Sequence, residues 1–296
     1  LIQDVLKYKS LGVSQLLLDL EWILNSHNLL LSAMPEFEGM WLENMRLLLD
    51  EHSLENWLTK LKTDSSELAE FFLLEEQFIL GKYFEKLLTF FFMHYPQFEI
   101  IESGKQLFED QQTIGEIDFI IFDKLHQQKI HLEVAVKYYM GFKDVGKHDL
   151  WIGPNGSDTL QKKVIKLQKQ LKLSELGAIE TDEKMALMLG YLFKHRKASQ
   201  WPYFVNYSDD FGIWLYADEM LDFWEPDAAY CIMPKARWLG FYIDERDSLI
   251  EGNSISAVVE EQLEKIGKGI MVARVDPLNL KLIQKILVAP AKWPRL

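Results

Sequence analysis

Two carboxylates and an ammonium gathered on a half-buried sheet can hold a divalent cation against a phosphodiester, and the stretch from Gly115 to Lys137 carries such a set. A phosphodiester resists hydrolysis because the attacking water meets a polyanion. Catalysis therefore needs metal charge on the phosphate oxygens and a deprotonated water, which Mg²⁺ supplies when one or two carboxylates hold it and its other positions stay open. Asp118 and Glu133 are the candidate ligands for Mg²⁺ or Mn²⁺, and the carbonyl of Val134 is a candidate further donor. Lys137 is the candidate for orienting the water or stabilising developing negative charge.

A pair of strands must position these groups. The segment reads GEIDFIIFDKLHQQKIHLEVAVK, two runs rich in Ile, Val and Phe joined by the polar Lys124-Leu125-His126-Gln127-Gln128, which is the pattern of adjacent antiparallel strands. Alternation puts Glu116, Asp118 and Ile120 on one face of the first run, and His131, Glu133, Ala135 and Lys137 on one face of the second. If these are the same side of one sheet, Asp118, Glu133 and Lys137 converge, with His131 a neighbour of Glu133.

With 296 residues the chain forms one large domain or two smaller ones, and a hydrophobic fraction of 48% with 13% aromatic residues excludes disorder. No apolar run reaches the roughly 18 uncharged residues of a membrane span, and no secretory signal is visible. The first residue is Leu rather than Met, which leaves room for a short preceding piece. The single cysteine, Cys231, excludes an intramolecular disulfide and a cysteine-rich metal cluster, so a reducing cytoplasm is the expected location. A net charge of -13 argues against non-specific coating of nucleic acid but leaves room for a locally basic groove. From Lys129 to Leu173 nine lysines stand against four acids, so this window is basic inside an acidic chain.

Along the chain, Leu and Trp at three- and four-residue spacing predict a helical N-terminal region, broken near Met34-Pro35 and Glu38-Gly39. A long helix is expected from about Ser66 to Tyr95, with Leu80, Phe84, Leu87, Leu88 and Phe91 on its apolar face and Glu76, Lys82 and Glu85 off it. FEIIESGKQLFED reads as a strand pair or one long bent strand, and the Gly-containing stretch after Lys137 as a loop. Asp158 with Gln161 looks like a capping box opening a helix over 159–173, with Leu160, Val164, Leu167 and Leu171 on one side and Lys162, Lys166 and Lys169 on the other. KMALMLGYLFKH reads as a buried strand. A helix near VVEEQLEKIG, a strand IMVARV and a last helix after Asp276-Pro277 complete the chain. The expected division is a helical cap over 1–65, an α/β (α+β) mixed-sheet core over 66–197 and an α/β extension over 198–296 packed on that core.

A helix with a Glu, a strand, a GEID strand, a strand bearing Glu and Lys, a basic amphipathic helix and a further strand together resemble the PD-(D/E)XK nuclease superfamily. The chain as a whole resembles an uncharacterised bacterial family, a domain of unknown function, related to that superfamily. Asp19-Leu20-Glu21-Trp22, Gly81-Lys82-Tyr83-Phe84-Glu85, GEIDF, HLEVAVKYY, Trp151-Ile152-Gly153-Pro154-Asn155 with Asp158, Gly190-Tyr191-Leu192-Phe193 and Pro234-Lys235-Ala236-Arg237-Trp238 carry the resemblance. It implies a restriction endonuclease-like core flanked by helices, with Mg²⁺-dependent hydrolysis of DNA or RNA at Asp118, Glu133 and Lys137. It also implies that Glu85 supplies the auxiliary acid of the first helix and that Gln161 and Lys162 face the scissile phosphate. The sequence departs from the family pattern at Ile117, where the superfamily has Pro, and at Ala135, where it has its lysine. Lys137 lies four residues from Glu133, roughly 13 Å along a regular strand instead of about 6.6 Å.

Other chemistries find no support. HxxxH and HExxH spacings are absent, so zinc is not expected, and no GxxxxGK[ST], GxGxxG or GxSxG occurs. Trp201, Trp214, Trp224 and Trp238 are of a type that stacks on bases, but in alternating strands they read first as core. The row Lys162, Lys166 and Lys169 reads as a rail for a phosphate backbone. The expected function is a metal-dependent nuclease-like hydrolase of nucleic acid. The alternative is an inactive scaffold on the same fold that binds nucleic acid or a protein partner.

Overall fold

The computed structural model describes residues 12–30, 41–73, 79–110, 112–143, 146–177, 179–198, 211–241, 243 and 248–294. In chain order these form helices α1 (Val13–Asn25), α2 (Glu51–Thr63), α3 (Ser66–Phe72) and α4 (Leu80–His94), then strands β1 (Phe98–Glu109), β2 (Gln112–Asp123), β3 (Gln128–Gly141) and β4 (Trp151–Ile152). Helices α5 (Leu160–Gln170) and α6 (Leu173–Leu176) follow, then β5 (Glu183–His195), β6 (Phe211–Tyr216), β7 (Ala229–Met233) and β8 (Ile250–Glu251). Helix α7 (Gly252–Ile266) and strands β9 (Ile270–Val275) and β10 (Leu282–Ala289) close the chain. The fold is mixed α/β, with both antiparallel and parallel strand pairs. It divides into two compact units: residues up to Val136 with Val164–Leu189, and Lys137–Lys163 with Gly190 onward.

In the first unit β1, β2 and β3 pair antiparallel in that order, with β5 beyond β3. β1 is one long strand bent by register shifts at Ile100/Glu102 and Leu107/Phe108. Helix α4 packs on β1, burying Leu80, Phe84, Leu87, Leu88 and Phe91, as their three- and four-residue spacing predicts. Phe92 meets Phe119 of β2 edge-on at 5.3 Å between ring centroids. Burying each such side chain contributes roughly 1.5–3 kcal/mol. The single long helix expected from Ser66 is instead two, because α3 ends at Phe72, where the Leu73 N–H turns back to the Glu70 carbonyl. Leu68 and Phe72 form its buried stripe, and continuing that stripe by three or four residues would bury Glu75 or Glu76. Glu76 itself, Met34-Pro35 and Glu38-Gly39 lie outside the described residues.

Strand β3 continues past Lys137 to Gly141, where a loop was expected. Tyr138, Tyr139 and Met140 are buried, and Met140 and Gly141 pair with Ile152 and Trp151 of β4. Helix α5 is shorter than expected and opens on Thr159, whose Oγ1 accepts the Lys162 N–H at 3.3 Å. Asp158, expected as the cap, is spent elsewhere. The apolar side of α5 is as its periodicity predicts, with Leu160, Val164, Leu167 and the following Leu171 buried.

In the second unit β6 pairs parallel with β5 and β10, β10 pairs antiparallel with β9, and β7 lies between β9 and β8. Helix α7 covers this sheet with Ile255, Val259 and Leu263, and ends at Gly267 in the left-handed conformation with φ +65°. The helix expected after Asp276-Pro277 is the strand β10. Ile286, Leu287, Val288 and Ala289 are buried in succession between β6 and β9, which suits a central strand with both faces covered and defeats a helix with one apolar stripe. Among the described residues no helix is long and apolar enough to cross a membrane.

Candidate active site

The β2–β3 hairpin is built by its turn. Asp123 accepts the N–H groups of Leu125 and His126 at 2.9 and 3.2 Å, an arrangement that sets the register Asp123↔Gln128 to Phe119↔Leu132. One step further, side chains take over from the ladder. The Asp118 N–H donates to Glu133 Oε1 at 3.2 Å, and Asp118 Oδ2 accepts the Val134 N–H at 2.9 Å. The two acids are thus interlocked, each carboxylate held by the backbone of the opposite strand. Asp118 is half-buried and Glu133 fully buried.

Behind Glu133 stands a buried relay. His131 Nε2 lies 2.8 Å from Glu133 Oε1, and His131 Nδ1 lies 3.0 Å from Ser174 Oγ on α6. Burial first, and the Lys184 charge second, pull His131 down to about 4, outweighing the Asp118 carboxylate and the Leu171 carbonyl, which favour its protonation. The imidazole is therefore neutral near pH 7. With the proton on Nε2 it donates to Glu133 and accepts the Ser174 hydroxyl. Helix α6 reaches β2 because Gly115 has no side chain: a Cβ there would come within 2.5 Å of Leu173 Cδ1.

At the rim, Lys82 Nζ of α4 bonds Glu85 Oε2 at 2.7 Å and stands 3.6 Å from Glu116 Oε1. The Glu85 hydrogen bond above all, then the charges of Glu85, Glu116 and Asp118, hold Lys82 above the ordinary lysine range against some burial. Gln170, at the end of α5, donates to the Glu116 carbonyl at 3.2 Å. Asp118 and Glu133 meet, and Glu85 joins Lys82 and Glu116 in the same unit. Lys137 belongs to the second unit, where its ammonium bonds Asp158 Oδ2 at 2.6 Å beside the Tyr139 hydroxyl, which reaches the same oxygen at 3.2 Å.

Lys162, Lys166 and Lys169 are exposed along α5, as is Gln161, and no acid lies between Thr159 and Ser174. Lys162 Nζ rests near the Ser157 carbonyl at 3.4 Å. Trp214 and Trp238 are buried, donating to the Gly141 and Met233 carbonyls, and Trp224 packs on the α7 core. Trp201 lies outside the described residues. Sequence reasoning missed Lys82 and Ser174. Lys82 had a signal, its place three residues before Glu85 on one helical turn, whereas nothing in the sequence joins Ser174 to His131.

The donor set of Asp118 and Glu133 is hard oxygen, which suits Mg²⁺ or Mn²⁺ held by one or two carboxylates with water and phosphate completing the shell. It is not an all-protein cage: among the described residues no group of three or more His, Cys, Asp or Glu is placed to hold a metal.

No curated protein and no solved structure matches the chain. One family does, described as Domain of unknown function (DUF1853), over residues 18–287, and the chain belongs to it.

Proposed function

We propose that the chain hydrolyses phosphodiester bonds of nucleic acid with Mg²⁺ or Mn²⁺ held by Asp118 and Glu133, on a core related to the PD-(D/E)XK nucleases. The observation that carries the reading is the interlock of the two carboxylates across β2 and β3, at 3.2 and 2.9 Å to the opposite backbone. Two acids fixed by main-chain N–H groups are pre-organised: their oxygens are aimed before any substrate arrives. The neutral His131 holds Glu133 without adding a positive charge that would repel a cation. When bound, the divalent ion would neutralise phosphate oxygens and acidify a water. The exposed lysines of α5 offer charge to the phosphate backbone. Incubating the purified chain with Mg²⁺ or Mn²⁺ and single-stranded, duplex and branched DNA and RNA tests the proposal. Cleavage falling at least about 100-fold in Asp118→Ala supports it. Cleavage indifferent to that substitution sinks it.

A second reading is a non-catalytic scaffold that binds nucleic acid or a protein partner. It is favoured by the same hydrogen bonds, since Asp118 Oδ2 and Glu133 Oε1 already accept N–H donors and so act as a clamp between strands. Calorimetric titration separates the two: the hydrolase binds Mg²⁺ in a manner abolished by Asp118→Ala, whereas the scaffold takes up none.

A further inference from the structure

We infer that Lys82 of α4, steadied by Glu85, is the group that puts positive charge on the phosphate at this site, in the role that the sequence led one to expect of Lys137. The inference rests on the hydrolase reading above. Three observations carry it. The Lys82 ammonium is 2.7 Å from Glu85 and 3.6 Å from Glu116, and Glu116 lies two residues before Asp118 on β2, about 6.6 Å along the strand on the same face. Its side chain is 61% exposed, so the ammonium is open to an arriving polyanion. The Lys137 ammonium, by contrast, bonds Asp158 Oδ2 at 2.6 Å.

The chemistry asks only for a fixed cation. Water adds its oxygen to phosphorus as the bond from phosphorus to the leaving sugar oxygen breaks; a water proton passes to solvent and the leaving oxygen takes one from solvent. Lys82 transfers no proton and neutralises a non-bridging oxygen. An ammonium has three donors, and Glu85 takes one at hydrogen-bond distance, which leaves the group anchored yet able to donate to a phosphate oxygen as a further partner. Glu85 is then a positioning residue, acting through Lys82. The nearby acids, Glu85 first, keep the ammonium charged well past neutral pH.

The test compares the unmodified chain with K82Q, K82R, E85Q and, as a control on the exposed side of α2, K60Q, measuring kcat, KM and the Mg²⁺ concentration for half-maximal cleavage. Expected for K82Q is a fall in kcat of about 100-fold with KM and the Mg²⁺ requirement within about threefold, with partial recovery in K82R and no change in K60Q. E85Q should lower kcat less than K82Q and add nothing to it in the double variant. Cleavage by K82Q within about threefold of the unmodified chain overturns the role of Lys82 and leaves the hydrolase standing. A loss in K82Q that extra Mg²⁺ restores overturns it too, because the lysine would then be shaping the metal site. Failure of the unmodified chain to cleave any substrate overturns both.

Discussion

Among the described residues each unit holds a histidine–glutamate pair at the same separation, 2.8 Å, yet the two differ in how far they are buried. In the first, both His131 and Glu133 are fully buried, and burial strips the imidazole of its charge, down to about 4. In the second, His195 and Glu219 keep 21% and 16% of their side chains exposed. Burial there works against the Glu219 charge, but hydrogen bonds from Lys197, the Tyr216 N–H and His195 outweigh it and hold the carboxyl at about 2. A His–Glu distance therefore says nothing by itself about an ion pair. The surroundings decide whether the pair is a neutral relay that aims a carboxylate, as at Glu133, or a solvated cluster that pins the end of β5 to the turn after β6, as at Glu219.

The sharpest way to break this contrast is deletion. Glu133→Ala leaves the buried His131 and the Asp118 N–H without their acceptor and should cost about 3 kcal/mol in urea unfolding, whereas Glu219→Ala, partly solvated, should cost about 1 kcal/mol. Equal costs would mean the two pairs are alike.

The pH dependence sharpens it next. The folded-state value of His131 is depressed below the unfolded 6.5, so its contribution is fully present above pH 6.5 and is lost as pH falls toward about 4. The loss should approach 3 kcal/mol on an order-of-magnitude basis. Glu219 is also depressed, from 4.5 to about 2, so its contribution is present above pH 4.5 and is lost only as pH falls toward 2. Unfolding followed from pH 7 to pH 3 should show the upper window vanish in His131→Gln and persist in Glu219→Gln. A profile unaltered by His131→Gln would contradict a neutral buried imidazole.

The smallest effects separate relay from surface. Ser174→Ala removes the hydroxyl facing His131 and should cost about 1 kcal/mol. Lys197→Ala removes an ammonium that is 69% exposed and should cost less than about 0.5 kcal/mol, diminishing further in high salt.

Much of the first unit was legible in the order of residues. Alternation in GEIDFIIFD and KIHLEVAVK sufficed to place Asp118 and Glu133 on neighbouring strands, because a hairpin with a short polar turn leaves few registers open. The stripe Leu160, Val164, Leu167 and Leu171 was equally plain. Asp158 misled as a cap, since Thr159 stands next to it with the same hydrogen-bonding ability and Lys137 competes for the carboxylate. The strand β10 misled because Asp276-Pro277 opens helices as readily as it ends strands, and a short apolar run carries no period of its own.

What the sequence by itself determined is local: where strands alternate, where helices carry an apolar side, and that two acids sit on adjacent strands. These follow from backbone periodicity and from hydrogen bonds between residues close along the chain. Only the tertiary structure decided that Ser174 meets His131 across 43 residues, that Lys82 of a helix stands beside the acids of β2, and that Lys137 turns to Asp158. Such pairings depend on how helices dock on a sheet, and a charged side chain at the end of a long stem takes whichever partner that docking brings within reach.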